Sequence, residues 1–137
     1  MADSTIQTTT LSPDGEVFRP LRRELGVSSF GINLITLEPR QRQRVHIHQR
    51  QEEVYVVVEG ELTLIVEEVE HRLPRGTVAG VAPEQRRQLT NPSDQRVVVL
   101  CLGGSGEHES RDALAWGSWD EEGEGRSPRD VPLPPDL

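Results

Sequence analysis

The stretch His46-Ile47-His48-Gln49-Arg50-Gln51-Glu52-Glu53-Val54-Tyr55-Val56-Val57-Val58-Glu59-Gly60 is the most telling part of this 137-residue chain. Val54 to Val58 is an apolar, β-branched run and reads as a strand. Side chains two apart on a strand point the same way, so an extended His46-x-His48 puts both imidazoles on one face. Gln49-Arg50-Gln51 turns the chain back to Glu53, at the head of the next strand. Two imidazoles and a carboxylate converging from neighbouring strands form a three-ligand site for a divalent transition metal. If Glu53 faces inward, Tyr55 and Val57 follow it, and Val54, Val56 and Val58 face outward. Three outward valines call for cover by the N-terminal strand or a second subunit, so a homodimer is expected.

The flanking sequence continues in short extended pieces. Ser28 to Leu37 and Arg42 to His48 precede the quoted stretch, separated by the Glu38-Pro39 break. Glu61 to Val66 is expected to pair with Glu53 to Val58 across the Glu59-Gly60 turn. Glu70 to Leu73, Thr77 to Ala82, Arg87 to Thr90 and Arg96 to Leu102 complete the set. Short strands with Gly/Pro turns and no long helical period imply an all-β barrel or sandwich. Phe18 to Gly26 is expected to hold a short helical turn ended by Gly26. Ser110 to Trp116 is expected to form one capped helical turn. At least one of Trp116 and Trp119 should pack on the barrel wall.

A second set of residues lies downstream: Gly76, Pro83, Gln85, Arg87 and Asn91. With His46, His48, Glu53 and Gly60, they make the segment from about Leu37 to Gly103 resemble a small single-domain cupin. In that family a first motif, G-x5-H-x-H-x3/4-E-x6-G, is followed by a second, roughly G-x5-P-x-G-x2-H-x3-N. Here Arg40 stands at the first glycine, Gln85 at the second motif's inner glycine, and Arg87 at its histidine. The resemblance implies a cupin-type double-stranded β-helix, or jelly-roll, barrel. It also implies a choice among isomerases, dioxygenases and decarboxylases.

Composition narrows the field. Between Glu16 and Gly104 twelve arginines face twelve acids, so the barrel is neutral, and the net charge of −8 belongs to the ends. An acidic chain without a basic face argues against nucleic-acid binding. No apolar run reaches membrane-spanning length, so no membrane partner is expected. All 15 basic residues are arginine, which excludes Schiff-base lysine chemistry. Cys101 is the single cysteine, in an apolar strand, and reads as a small buried hydrophobe. Met1-Ala2-Asp3-Ser4 has no basic start and no apolar core after it, which points to the cytoplasm. The organisation expected is a flexible arm over 1–15, a barrel over 16–104, a short capping segment over 105–119 and a disordered acidic, proline-rich tail over 120–137.

The site then has competing readings. In the first, His46, His48 and Glu53 hold iron, manganese, zinc or nickel, and Tyr55 is the proton donor. Arg87 orients an acidic group of a small polar or anionic metabolite, with Gln85 and Asn91 beside it. In the second, Arg87 pairs with Glu53, no metal binds, and the barrel is a ligand-binding or sensing module. In the third, the barrel is a scaffold and the acidic tail recruits a protein. His71 and His108 read as solvated. Arg40, Arg42, Arg44 and Arg50 read as a solvated edge, or, with Arg86, as a basic rim to the cavity.

Overall fold

A computed structural model describes residues 5–104 and 112–137. Ten strands form two five-stranded sheets packed face to face. The strands are β1 (Phe18–Pro20), β2 (Gly31–Leu37), β3 (Val45–His48), β4 (Glu52–Glu59), β5 (Leu62–Val66), β6 (Val69–Leu73), β7 (Val78–Val81), β8 (Arg87–Thr90), β9 (Val97–Gly104) and β10 (Ala113–Trp116). One sheet runs β1-β2-β9-β4-β7 and the other β10-β3-β8-β5-β6. Every strand pairing is antiparallel. This is the expected all-β jelly-roll architecture. Among the described residues no helix is long and apolar enough to cross a membrane.

Alternation builds the core. Ile35 and Leu37, Tyr55 and Val57, Leu62 and Leu64, Val97, Val99 and Cys101, with Val81 and Leu89, fill the space between the sheets. The alternate residues of the first sheet face away and form a second cluster, where Leu21, Leu34 and Val98 gather Leu25, Ile32, Val58 and Leu100. Part of the cover for the outer valines therefore comes from the N-terminal segment. Its short helix α1, Arg22–Leu25, ends at Gly26 in the left-handed region, as expected.

Three expectations need correction. The β4–β5 hairpin does not form: β4 pairs with β9 and β7, while β5 pairs with β6 and β8. The Glu59-Gly60 turn instead carries the chain from one sheet into the other. Gly60 makes this crossing at φ +75, where a Cβ would lie 2.3 Å from the Arg96 carbonyl oxygen. Ala113 to Trp116 is also not helical. It is β10, laid against β3 with Ala113 opposite His48 and Trp116 opposite Val45. The open backbone row of β3 outweighs the weak helical preference of four residues. Ser110, Arg111 and His108 lie outside the described residues.

The third concerns 120–137, which runs along the barrel in the structure. Arg126 bridges Ala115 on β10, and Val131 is 1% exposed. The Leu137 amide donates to the Arg40 carbonyl at 2.8 Å. Trp116 is buried with its indole N–H donating to Gly123 O, and the Arg86 guanidinium lies 3.7 Å above its ring.

Candidate metal centre

The two sheets meet at one polar spot inside an apolar core. β3 brings His46 and His48 inward from one sheet, and Arg87 on β8 is the direct cross-strand partner of His46. β4 brings Glu53 and Tyr55 from the other sheet, and Cys101 on β9 is the cross-strand partner of Tyr55. One donor atom from each of His46, His48 and Glu53 lies within 4.8 Å of the others. The imidazoles stand edge to face, 5.5 Å between centroids.

Distances give each contact its meaning. His48 Nε2 lies 2.7 Å from Glu53 Oε2, and His46 Nε2 lies 3.8 Å from Oε1. The Tyr55 hydroxyl also donates to Oε1. His46 Nδ1 is 3.1 Å from the Arg44 carbonyl oxygen, which can only accept, so Nδ1 carries the proton of that hydrogen bond. In the neutral ring, Nε2 then presents a lone pair toward a carboxylate. A proton or a metal ion between them would satisfy both groups, and two imidazoles with a carboxylate are a donor set that suits a divalent metal. Metal bonds of about 2.1 Å set donor atoms roughly 3–3.5 Å apart. The two His–Glu distances bracket that span, so the residues fit a divalent ion.

Burial alone would raise the Glu53 carboxyl. Hydrogen bonds and charge from His48 and His46 overcome it and hold the group well below the ordinary carboxylate range. Burial, then the Glu53 charge, pushes the Tyr55 hydroxyl well up, so it stays protonated. The Cys101 thiol is pushed up for the same two reasons, which makes it a packed neutral group and not a nucleophile.

Arg87 faces inward, at the position where the motif of the resembling family carries a histidine, and its side chain is 0% exposed. One terminal nitrogen donates to the Ala82 carbonyl at 3.0 Å. Nε approaches Glu53 Oε1 no closer than 3.9 Å. Nε and Nη1 are buried without a hydrogen-bond partner. Asn91 is buried too, but its amide nitrogen donates to the carbonyls of Leu37, Glu38 and Gln95. Its oxygen accepts from Ser93, so the side chain has no capacity left for a ligand. Gln85 is exposed and its amide oxygen accepts the Ala82 N–H, closing a tight turn. Gln85 and Asn91 are thus structural, and neither reaches the metal group.

His71 is exposed on the edge strand β6. The basic rim is also reassigned. Arg40 turns to Pro92 and Asp94, Arg42 to Pro135 O and Arg44 to Val131 O. Sequence reading missed Asp112. Its carboxylate accepts the backbone N–H groups of Arg50 and Gln51, and Oδ2 lies 3.5 Å from His48 Nδ1. At that distance His48 Nδ1 is without a hydrogen-bond partner, so Asp112 acts on the imidazole through its charge.

Comparison with known proteins agrees with this geometry. Residues 33–103 match the sequence model of a family described as Cupin domain. No curated protein is detectably similar to the chain. A cupin-superfamily sugar phosphate isomerase from Silicibacter pomeroyi is 29% identical, with a TM-score of 0.63 over 72% of this chain. This chain spans 64% of the length of that protein. A Thermus thermophilus protein is 25% identical, with a TM-score of 0.60, over 71% of this chain and 90% of the other. A Bacteroides fragilis cupin is 20% identical at a TM-score of 0.65, over 79% of this chain and 92% of that one, a likeness of fold alone.

Proposed function

The chain belongs to the cupin domain family, and on that basis we propose that it is a metal-dependent small-molecule cupin. One divalent ion (iron, manganese, zinc or nickel) is held by His46, His48 and Glu53, and the ligand is a small anionic metabolite. The observation that carries this reading is the His46 ring. Its Nδ1 is committed to the Arg44 carbonyl and its Nε2 faces Glu53 at 3.8 Å. A bound ion would supply a Lewis acid that polarises a ligand oxygen.

The chain's own groups fill the other roles. Tyr55 keeps its proton and commits it to a hydrogen bond with Glu53, so it orients that carboxylate; burial and the Glu53 charge make it too weak an acid for the proton-donor role. Arg87 offers two buried, unpartnered donor nitrogens, which suit a carboxylate or phosphate oxygen. The Silicibacter relative is named for a sugar phosphate, so a phosphorylated sugar is the first ligand class and isomerase-type chemistry the first reaction class. The metal-free reading draws on the 3.9 Å approach of Arg87 Nε to Glu53. That is one long contact and not a bidentate fork, so it carries less weight.

Calorimetry tests the proposal in two stages. Zinc or manganese is titrated first, then a phosphorylated aldose and the same sugar without phosphate. The expected result is one ion per chain, with only the phosphorylated sugar binding and only after the metal. Equal binding of both sugars, or none with metal loaded, would remove the anionic-ligand assignment.

A further inference from the structure

We infer that the C-terminal segment 119–137 is a positioning element of the metal centre, acting through the backbone of Gln43 and Arg44. The inference rests on the metal reading for its role, though its first measurement does not need the metal.

His46 is aimed by its own upstream backbone. Its Nδ1 hydrogen bond goes to Arg44 O, only two residues back. Strand pairing fixes Val45 to His48, but Gln43 and Arg44 precede β3. A backbone bond from this pair runs from Gln43 N to Leu89 O, at 2.9 Å, beside the Arg42–Thr90 bridge. Side chains supply the rest. The buried Gln88 amide donates to the Gln43 carbonyl at 2.9 Å, and its oxygen accepts the Trp119 indole N–H at 2.9 Å. Arg44 Nε donates to the Val131 carbonyl, and Val131 is itself buried. Two residues earlier, Arg42 Nε donates to the Pro135 carbonyl at 2.9 Å. Val131 and Pro135 therefore hold Arg44 and Arg42 directly, and Trp119 reaches Gln43 through the Gln88 amide. The Arg44 carbonyl that sets the His46 tautomer sits at the end of that grip.

A backbone carbonyl behind a ligating imidazole selects which ring nitrogen faces the ion. Loosening the grip should free the Arg44 peptide and let His46 exchange tautomers, while His48, whose Nδ1 faces Asp112 at 3.5 Å and not this segment, keeps its own state.

The test uses the full chain with Arg44→Met, Trp119→Phe, and both together. Each change removes a donor and keeps an apolar stem or ring, and a urea midpoint confirms that each variant is folded. Nitrogen-15 shifts of the imidazoles, read on metal-free protein, are expected to show His46 protonated at Nδ1 in the parent. The double variant should show a tautomer mixture at His46 and no change at His48. Zinc affinity should fall about tenfold or more. A folded double variant with the parental His46 pattern and zinc affinity would overturn the inference. If the parent binds no zinc, the metal reading fails, and the tautomer shifts alone still decide this one. If the double variant does not fold, Trp119→Phe alone carries the same two readouts.

Discussion

Arg87 is the residue that sets this barrel apart from a plain three-ligand metal site. A guanidinium about 4 Å from a divalent ion in a partly buried site repels it by several kcal/mol at an effective dielectric near 20. Arg87→His removes that charge and adds a donor at the strand position opposite His46. Zinc affinity should rise at least tenfold, while affinity for an anionic ligand falls, because one imidazole does not replace a planar fork. Unchanged affinity for both would show that Arg87 does not act on the site. Cys101 gives a second check. It is 2% exposed and its thiol is held up by burial and by Glu53, so alkylation at mildly alkaline pH should wait on unfolding. Native protein reacting as fast as urea-unfolded protein would contradict the packing around the site. The inward turn of His46, His48, Glu53, Tyr55 and Arg87 was legible from strand parity together with the motif spacing of the cupin resemblance. Asp112 was not. It reaches Gln51 N across 61 residues of sequence, and no local pattern announces such a contact. Asn91 and Gln85 had the right spacing, but their hydrogen-bonding capacity goes to the backbone.

Strand existence was easier to read than strand partnership. Nearly every apolar run between Gly31 and Gly104 is a strand, yet the Glu59-Gly60 turn, which reads as a hairpin, joins two sheets. The true hairpin, β5–β6, turns on Glu67 and Glu68, both at positive φ, where the sequence shows no glycine or asparagine. β10 escaped notice because its strand character comes from the open edge of β3 and not from its own residues. The crossing at Gly60 carries a prediction. A side chain there meets a left-handed backbone and the Arg96 carbonyl oxygen at 2.3 Å. Gly60→Ala should cost at least about 2 kcal/mol, from the left-handed conformation plus overpacking. Urea unfolding measures it, and an unmoved midpoint would mean the crossing is not as tight as described.

For the whole chain, composition suggested a barrel with loose ends, and charge was correctly assigned to those ends. What composition concealed is that a polar, proline-rich segment can dock through its carbonyl oxygens, which arginines 42 and 44 receive. The outer sheet face is covered by Leu21 and Leu25 at one end, and Val78 at the edge strand stays 65% exposed. A homodimer through this face is the expected state, and light scattering at high concentration checks it; a clean monomer mass would remove it. The metal is the centre of the account. Crystals of zinc-loaded protein, with diffraction collected on both sides of the zinc edge, test it most directly. The account predicts one anomalous peak within bonding distance of His46, His48 and Glu53, absent in Glu53→Gln. No peak there, with the Arg87 guanidinium forked onto Glu53 instead, would contradict it.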